Sequence, residues 1–455
     1  MRLWLAVFLA RAAGWASRVL GHGGSSLPGA VARAIAPSVL QELGRRLPSG
    51  AVLVTGTNGK TTTAALAEHL MRRGGRAVLR NQTGANLVLG LTAALIQATG
   101  WRLLPRADLA LLETDEASVP RAAAELRPRG IVVTNFFRDQ LDRYGELTHA
   151  VRLVARGLEA LDPDGRAILN ADDPNVARLG EPLRSEQVVF YGMVAGWGDP
   201  EDSPGDVRHC PLCGAELLYR RRFYAHLGEY RCTGCGWQRP PLTVAVEEMD
   251  LVHRRVKVRF GDVAAWVPAV LPGTYNLYNQ LAAMAWAWSW GMAPDALGEA
   301  LNDFRPAFGR MERTAVRGRE VWFALVKNPT GFNQVLATLA AEPQAAVGLV
   351  AINDDYADGR DVSWLWDVDF ERWLPRVAVR QWWVSGRRAL DMAVRLKYAG
   401  VAAEALTIEE DLARALEGAV DSAAGRVYVL PTYTAMLALR RHLTKQGAVR
   451  HFRQG

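Results

Sequence analysis

The sequence predicts an α/β protein with two domains, the first built on a parallel sheet that carries a phosphate-binding loop and a small cysteine-bearing insert. Three observations predict this. Short apolar runs alternate with helical patterns, a glycine turn bearing a lysine and three threonines follows the first run, and two Cys-x-x-Cys pairs later break the rhythm. Length agrees, because single cores rarely grow beyond about 250–300 residues and the chain has 455. With 49% hydrophobic and 22% charged residues, disordered, collagen-like and coiled-coil readings are excluded.

Taken in order, Arg2 precedes an apolar run, Leu3 to Ala10, followed by Arg11 and Arg18. This imitates a secretory leader, but the run is only eight residues long and the arginines continue an amphipathic pattern. Leu3, Leu5, Val7, Phe8 and Leu9 suit a helix docked on the protein, with contact at a membrane surface as the lesser reading. A Gly23-Gly-Ser-Ser26 segment reads as linker. No run approaches the ~18 apolar residues of a membrane span. Ala51–Thr55, Leu109–Leu112, Ile131–Thr134, Ala167–Leu169 and Val188–Tyr191 are expected as buried strands, with helical patterns between them, the first starting at Thr61. A Gly/Pro/acidic loop at Gly196–Asp206 precedes the cysteine insert, then β-like segments lie near Leu242–Val246 and Val256–Phe260. A strong helix covers Asn276–Trp290, whose tryptophans 286, 288 and 290 read as core. A second alternating set follows, with strands at Val321–Leu325, Val347–Ile352, Gln381–Val384 and Arg426–Leu430. The expected division is 1–45 as an amphipathic helical segment, 46–312 as an ATP-binding domain with an insert at about 205–240, and 313–455 as a second α/β domain.

The segment Val-Leu-Val-Thr-Gly56-Thr57-Asn58-Gly59-Lys60-Thr61-Thr62-Thr63 places a glycine loop between strand and helix. Glycines let backbone N–H groups turn inward around phosphate oxygens, and the helix N-terminus adds a favourable dipole. Lys60 is placed to reach terminal phosphates and Thr61 to hold Mg²⁺. Valine stands at 54 where the strict spacing has glycine, so the loop is a shortened variant. Mg²⁺ takes one or two carboxylates besides phosphate oxygens. Glu113, ending a strand, is the candidate, with Asp115 and Glu116 as alternatives.

Cys210, Cys213, Cys232 and Cys235 form C-x₂-C-x₁₈-C-x₂-C, the spacing of a zinc ribbon. Four protein ligands leave no open position, so a structural Zn²⁺ is expected. With all four cysteines so engaged, none remains as a nucleophile for hydrolysing glutamine. Tyr219-Arg-Arg-Arg-Phe-Tyr224, between the pairs, either covers the ribbon or faces nucleic acid. The latter would make a zinc-ribbon nucleic-acid-binding ATPase, which a formal charge of +7 and a pI near 9.4 permit. Further on, Asp354, Asp355, Asp358 and Asp361 follow an apolar strand. They form either Asx turns and a cap or a carboxylate cluster at a sheet end, and the residues alone leave these even.

Several segments in order resemble the Mur ligase family of ATP-dependent amide-forming enzymes: Thr55 to Thr61, Thr134-Asn-Phe-Phe-Arg-Asp139-Gln-Leu-Asp142, Asn170-Ala-Asp-Asp173, Pro272 to Asn279 and Gly309-Arg310-Met-Glu-Arg. The departures point away from amino-acid addition to a UDP-linked precursor. Only about fifty residues precede the loop, Gln140 stands where many members have histidine, and Lys327-Asn-Pro replaces an acidic motif. Those departures, the four cysteines, Lys327 to Asn333 and the stretch Asn353-Asp-Asp-Tyr-Ala-Asp358-Gly-Arg-Asp361 resemble the MurT family, over nearly the whole chain. That resemblance implies the ATP-using subunit of lipid II isoglutaminyl synthase, amidating the D-glutamate α-carboxylate of lipid II through an acyl phosphate in peptidoglycan biosynthesis. It implies a heterodimer with a GatD-type glutaminase, whose Cys–His pair Asp361 would complete. It also assigns Asn276 and Arg310 to nucleotide contacts. ATP, Mg²⁺ and Zn²⁺ are the expected cofactors, lipid II at the inner membrane surface the acceptor, and the cytoplasm the location, with no nucleic acid. A Mur-like amino-acid ligase of the folylpolyglutamate synthase type is the alternative within enzymes.

Overall fold

The computed structural model describes residues 1–19, 26–81, 84–138, 147–195, 207–250, 252–305 and 310–447, with the side chains of 18, 19 and 310 outside that description. The expected loop at Gly196–Asp206, the Asp139–Asp142 segment, Gly309 and most of the Gly23–Ser26 linker therefore lie outside the described residues. Two compact units emerge. The first comprises Met1–Phe137, Glu146–Val270 and Thr274–Phe304, and the second Arg138–Gly145, Leu271–Gly273 and Arg305–Gly455.

In the first unit, strands β1 (Ala51–Thr55), β2 (Val78–Arg80), β3 (Leu109–Glu113), β4 (Gly130–Val133), β5 (Arg166–Asn170) and β6 (Val188–Met193) lie parallel. β7 (Leu217–Tyr224) and β8 (Leu227–Cys232) form a separate antiparallel hairpin. β9 (Val244–Asp250) joins the main sheet parallel to β6, and β10 (Arg255–Phe260) and β11 (Val263–Pro268) extend it antiparallel. The order is β11-β10-β9-β6-β5-β4-β1-β3-β2. β1, β3 and β4 are buried along their whole length, which requires the near-continuous apolar runs seen in their sequences. β1 sits between β3 and β4: the chain runs from β1 out to β2 and back to β3 on one side, then crosses to β4 on the other. Such a switch point opens a crevice at the strands' carboxyl ends.

Helices α1 (Arg2–Val19), α2 (Leu27–Ile35), α3 (Val39–Gly44), α5 (Val88–Ala98), α6 (Val119–Leu126) and α7 (Leu147–Leu158) share one core with one face of this sheet. Helix α4 (Lys60–Arg73), which follows the glycine loop, packs against α9 (Thr274–Ser289); the short α8 (Pro174–Ala177) follows β5. Trp286 is fully buried in α9, as expected, whereas Trp288 and Trp290 are half-buried. The N-terminal helix is docked as expected but on a different set of residues. Leu3 and Val7 face inward with Ala6 and Ala10, while Leu5, Phe8 and Leu9 face solvent.

The second unit holds β12 (Arg310–Val316), β13 (Arg319–Ala324), β14 (Ala346–Ala351), β15 (Val379–Ser385), β16 (Leu406–Ile408) and β17 (Arg426–Pro431). Their order is β12-β13-β17-β14-β15-β16, parallel except for the β12 edge. Helices Pro329–Ala340 and Ala389–Tyr398 fill one face and Leu412–Ser422 and Tyr433–Lys445 the other, a doubly wound, Rossmann-like layering.

Gly348 of β14 pairs with Trp382 of β15, and an added Cβ would lie 2.5 Å from two ring carbons of that tryptophan. Gly348→Ala is therefore expected to cost about 1–3 kcal/mol through overpacking. Urea unfolding would show this as a lower midpoint, and an unchanged midpoint would mean the indole has room to move.

Candidate functional site

The glycine loop begins where β1 ends. Gly56 and Gly59 have φ of +118° and +89°, and a Cβ at either would collide, with the Thr134 hydroxyl and with Asn279 Oδ1 respectively. Both positions thus need glycine for conformation and for space. The segment after β4 braces the loop. Thr57 N donates to Asn135 O (2.8 Å) and Asn58 N to Asn135 Oδ1 (2.9 Å). In return the Asn58 carbonyl accepts from Thr134 Oγ1 (2.7 Å) and Asn135 Nδ2 (3.1 Å). Phe137 N donates to Thr57 Oγ1 (3.1 Å). The loop is fixed by its own protein before any phosphate arrives.

Lys60 opens α4; its ammonium donates to the Gly56 carbonyl and lies 3.1 Å from Glu116 Oε1, both side chains being nearly buried. Glu116, an alternative Mg²⁺ ligand by sequence, is thus the lysine's counter-charge. Asp115, the other alternative, caps a short turn by accepting from Ala117 N (3.2 Å). Glu113 differs. It is buried at the end of β3 with its backbone pinned by Asn81 (2.9 Å in both directions), yet its Oε2 has no hydrogen-bond partner among the described residues. A buried carboxylate oxygen left so is costly unless a cation takes it. With Thr61 buried on the first turn of α4, the chemistry of these donors fits Mg²⁺. Asn276 is buried in α9 and accepts from Asn279 Nδ2 (3.3 Å). Asn279 Oδ1 in turn lies 3.5 Å from Thr63 Oγ1, which ties Asn276 to the loop's helix. Arg310 opens β12 in the other unit, with its side chain outside the description.

A second layer, behind the brace, was not legible in advance. Asp173 caps α8 through Asn175 N (2.9 Å) and turns its other oxygen to Phe136 N (2.8 Å). Asp172 is fully buried, accepting from Arg239 (2.8 Å), Tyr278 Oη (2.6 Å) and Met193 N (2.8 Å). Burial pushes its carboxyl above the usual range, opposed by Arg239 and those hydrogen bonds. Burial, then the charge of Asp172, likewise raises the Tyr278 phenol. The β7–β8 hairpin seats on the same segment, with Gly228 N donating to Asp172 O (2.9 Å) and Tyr230 Oη to Ala171 O (3.1 Å). At its tip His226 is fully buried, 3.3 Å from Asp173 Oδ2 and packed on the Phe137 ring at 4.6 Å. The only prior signals were positional: Asp172 and Tyr278 fall inside family motifs, and His226 and Arg239 flank cysteines.

The four cysteine sulfurs all lie within 4.8 Å of one another, Cys210 3.8 Å from Cys235 and Cys213 3.4 Å from Cys232. Tetrahedral bonds of ~2.3 Å put sulfurs about 3.8 Å apart, so the set fits Zn²⁺. The Gly234 and Cys235 amides donate to Cys232 Sγ (3.3 and 3.4 Å). Led by the Cys235 amide, and against desolvation, these lower that thiol to about 6. Burial raises Cys210, whereas against the Trp237 amide hydrogen bond, burial and the neighbouring thiols raise Cys235, so the sulfur geometry and not the titration carries the fit. The aromatic/arginine segment is β7 itself. Tyr219 and Tyr230 pack edge to face and Arg222 lies over the Tyr219 ring, which covers the module.

Asp361 lies in the second unit, beyond the end of β14, exposed, with Oδ1 accepting from Ser363 N (2.8 Å). That amide and the Ser363 side chain hold its carboxyl below the usual range. Its neighbours are committed elsewhere: Asp354 to Arg387 and Arg388, Asp355 to Arg387, and Asp358 to Thr434. Asp361 is the member of the group left facing solvent.

Comparison with known proteins agrees with this anatomy. Residues 54–199 match the Mur ligase middle domain and residues 325–436 the MurT ligase C-terminal family. The lipid II isoglutaminyl synthase (glutamine-hydrolyzing) subunit MurT of Staphylococcus aureus strain N315 is 33% identical over 450 residues, covering 98% of each chain. Among solved structures, the type C pseudomurein peptide ligase of Methanothermus fervidus superposes with a TM-score of 0.70 at 22% identity, over 89% of this chain and 80% of that one. E. coli FolC, solved with DHPP and ADP, superposes with a TM-score of 0.60 at 15% identity, over 90% and 94%. Both likenesses establish a Mur ligase-like fold.

Two outcomes follow from the geometry. Gly59→Ala should lower the melting temperature of the free protein, because the new Cβ meets Asn279, and should weaken Mg·ADP binding by calorimetry at least tenfold at a temperature where the variant is still folded; unchanged affinity would remove the loop from the site. Stripping metal from the cysteine module should lower the melting temperature and free four thiols to a colorimetric reagent. It should also raise the Kd for ADP, because the hairpin seats on the brace. An ADP affinity insensitive to metal would uncouple the two.

Proposed function

The chain belongs to the MurT family of lipid II isoglutaminyl synthase subunits, and from that premise we propose that it amidates the α-carboxylate of D-glutamate in lipid II, spending ATP and borrowing ammonia from a GatD-type glutaminase. The observation that carries this is the braced loop beside Glu113: an ammonium and a dipole on one side, and on the other a buried carboxylate oxygen without a partner among the described residues.

In this reading Gly56, Thr57, Asn58, Gly59, Lys60, Thr61 and Thr62 bind the phosphates of ATP, and Asn276 and Arg310 take further nucleotide contacts. Thr61 and Glu113 hold Mg²⁺, which supplies positive charge against the phosphates. The acceptor carboxylate attacks the γ-phosphorus; an O–P bond forms, the bond to ADP breaks, and an acyl phosphate results. Lys60 offsets charge on the transferring group, and leaving Glu116 for phosphate keeps its ammonium paired throughout. Ammonia then attacks the carbonyl carbon, the C–O bond to phosphate breaks, a proton is lost and D-isoglutamine remains. Cys210, Cys213, Cys232 and Cys235 hold a structural Zn²⁺. Because these are all the cysteines of the chain, no thiol is spare for glutamine hydrolysis. The C-terminal domain, 313–455, contacts the glutaminase in a heterodimer, and Asp361 orients that subunit's histidine. The protein works in the cytoplasm, at the inner face of the membrane where its acceptor sits.

The roles separate by nitrogen source. Asp361→Asn should lose glutamine-dependent amidation at least a hundredfold while ammonium-dependent amidation stays within twofold, with product followed by mass spectrometry. Lys60→Ala should lose both. Equal loss of both activities in Asp361→Asn would place that residue in the synthetase chemistry or the fold instead.

A further inference from the structure

Helix α1 is amphipathic in an inverted sense. Its buried side is mostly small: Ala6, Ala10 and Gly14 pack inward with Leu3 and Val7. Its solvent side carries the bulk, with Trp4 46% exposed, Trp15 66%, and Leu5, Phe8 and Leu9 between them at 40% or more. Trp4 and Phe8 stack on each other at 5.4 Å, ring planes 5° apart. A surface helix ordinarily turns polar residues outward, and a continuous exposed apolar stripe marks something that covers it.

Charge identifies the occupant. From Met1 to Gln41 there are four arginines and no aspartate or glutamate; Arg33 is buried and paired with Glu125 (2.7 Å), which leaves Arg2 and Arg11, among the described side chains, for the surface. Arg2 donates to the Ile35 carbonyl (2.6 Å) and Arg11 to the Ile96 carbonyl (3.1 Å), so cations are fixed beside the stripe. The loop after α5 brings Arg106 into electrostatic reach of Arg11 and carries exposed Trp101 and Leu104. A second copy laid on this stripe would bring arginine to arginine with no carboxylate from either helix to pair them. Anionic headgroups supply the missing charge, and indoles about 16 Å apart along one helix face suit the interface between headgroup and acyl chain. Among the described residues no helix is long and apolar enough to cross a membrane, so the geometry is that of a helix lying in the surface plane.

We propose that the outer face of α1, through Trp4, Leu5, Phe8, Leu9 and Trp15, docks the protein on an anionic phospholipid bilayer. This deepens the reading of a membrane-borne acceptor by naming the surface that meets the membrane, but it can be tested with no acceptor present.

The full chain is mixed with vesicles of phosphatidylglycerol and phosphatidylcholine, or of phosphatidylcholine alone, and sedimented. Binding is expected to the anionic vesicles, at least tenfold weaker to the neutral ones, and reduced by salt. The triple variant Trp4→Ser, Phe8→Ser, Trp15→Ser should lose at least tenfold in partitioning while its melting temperature and ADP affinity match wild type, since these side chains face away from the core. Wild-type protein that ignores anionic vesicles, or a variant that binds them equally, would overturn the proposal. So would a wild-type dimer in sedimentation velocity that the triple variant abolishes, because a second copy would then cover the face. None of these outcomes bears on whether the enzyme amidates its acceptor.

Discussion

The structure depends on the glycine loop after β1 being held in shape by the segment that follows β4. Gly56 and Gly59 carry the loop through positive φ, and its N–H groups, lying ahead of α4, have no intrahelical carbonyl to pair with. The Thr134-Asn135 pair meets that constraint from the adjacent strand end, since one asparagine satisfies two loop amides and returns a hydrogen bond to the Asn58 carbonyl. The parallel order that puts β4 beside β1 is what makes this reach possible. In the proposed reading a phosphate would meet a loop already organised, so little binding energy would be spent on ordering it.

From that brace outward, each layer supports the one inside it. Phe136 and Phe137 continue the brace and are fixed by Asp173 and Thr57. Asp172, beside Asp173, is enclosed by an arginine and a tyrosine from elements distant in sequence. The cysteine hairpin closes this layer with His226 at its tip. A small module with little core of its own would gain rigidity from the Zn²⁺ that its four cysteines fit. Its hairpin is joined by hydrogen bonds to the segment behind the glycine loop's brace, Gly228 N to Asp172 O and Tyr230 Oη to Ala171 O.

What was legible in the sequence was local. Strands buried on both faces announce themselves as apolar runs, so β1, β5, β14 and β17 fall within a residue or two of where their sequences place them. The three-residue β2 is too short to show a period, and β11, Val-Ala-Ala-Trp-Val-Pro, alternates too weakly. The glycine loop, Glu113 and the four cysteines were visible because their chemistry demands fixed spacing. The Asp172–Arg239–Tyr278 cluster was not, because its members come from segments 39 to 106 residues apart. The orientation of α1 also escaped sequence reasoning. With apolar residues on both faces, the pattern does not say which is buried, and shape decides: small side chains allow close approach to α2, and the aromatic ones are left outside.

The central claim is that this chain activates a carboxylate with ATP and obtains its nitrogen elsewhere. The most direct measurement is mass spectrometry of lipid II incubated with the purified chain, ATP and Mg²⁺, together with ammonium, with glutamine alone, or with glutamine and a GatD-type partner. Amidated lipid II with ammonium or with the partner, and none with glutamine alone, is the predicted result. No amidated lipid II in any of the three reactions, despite ATP turnover, would contradict it.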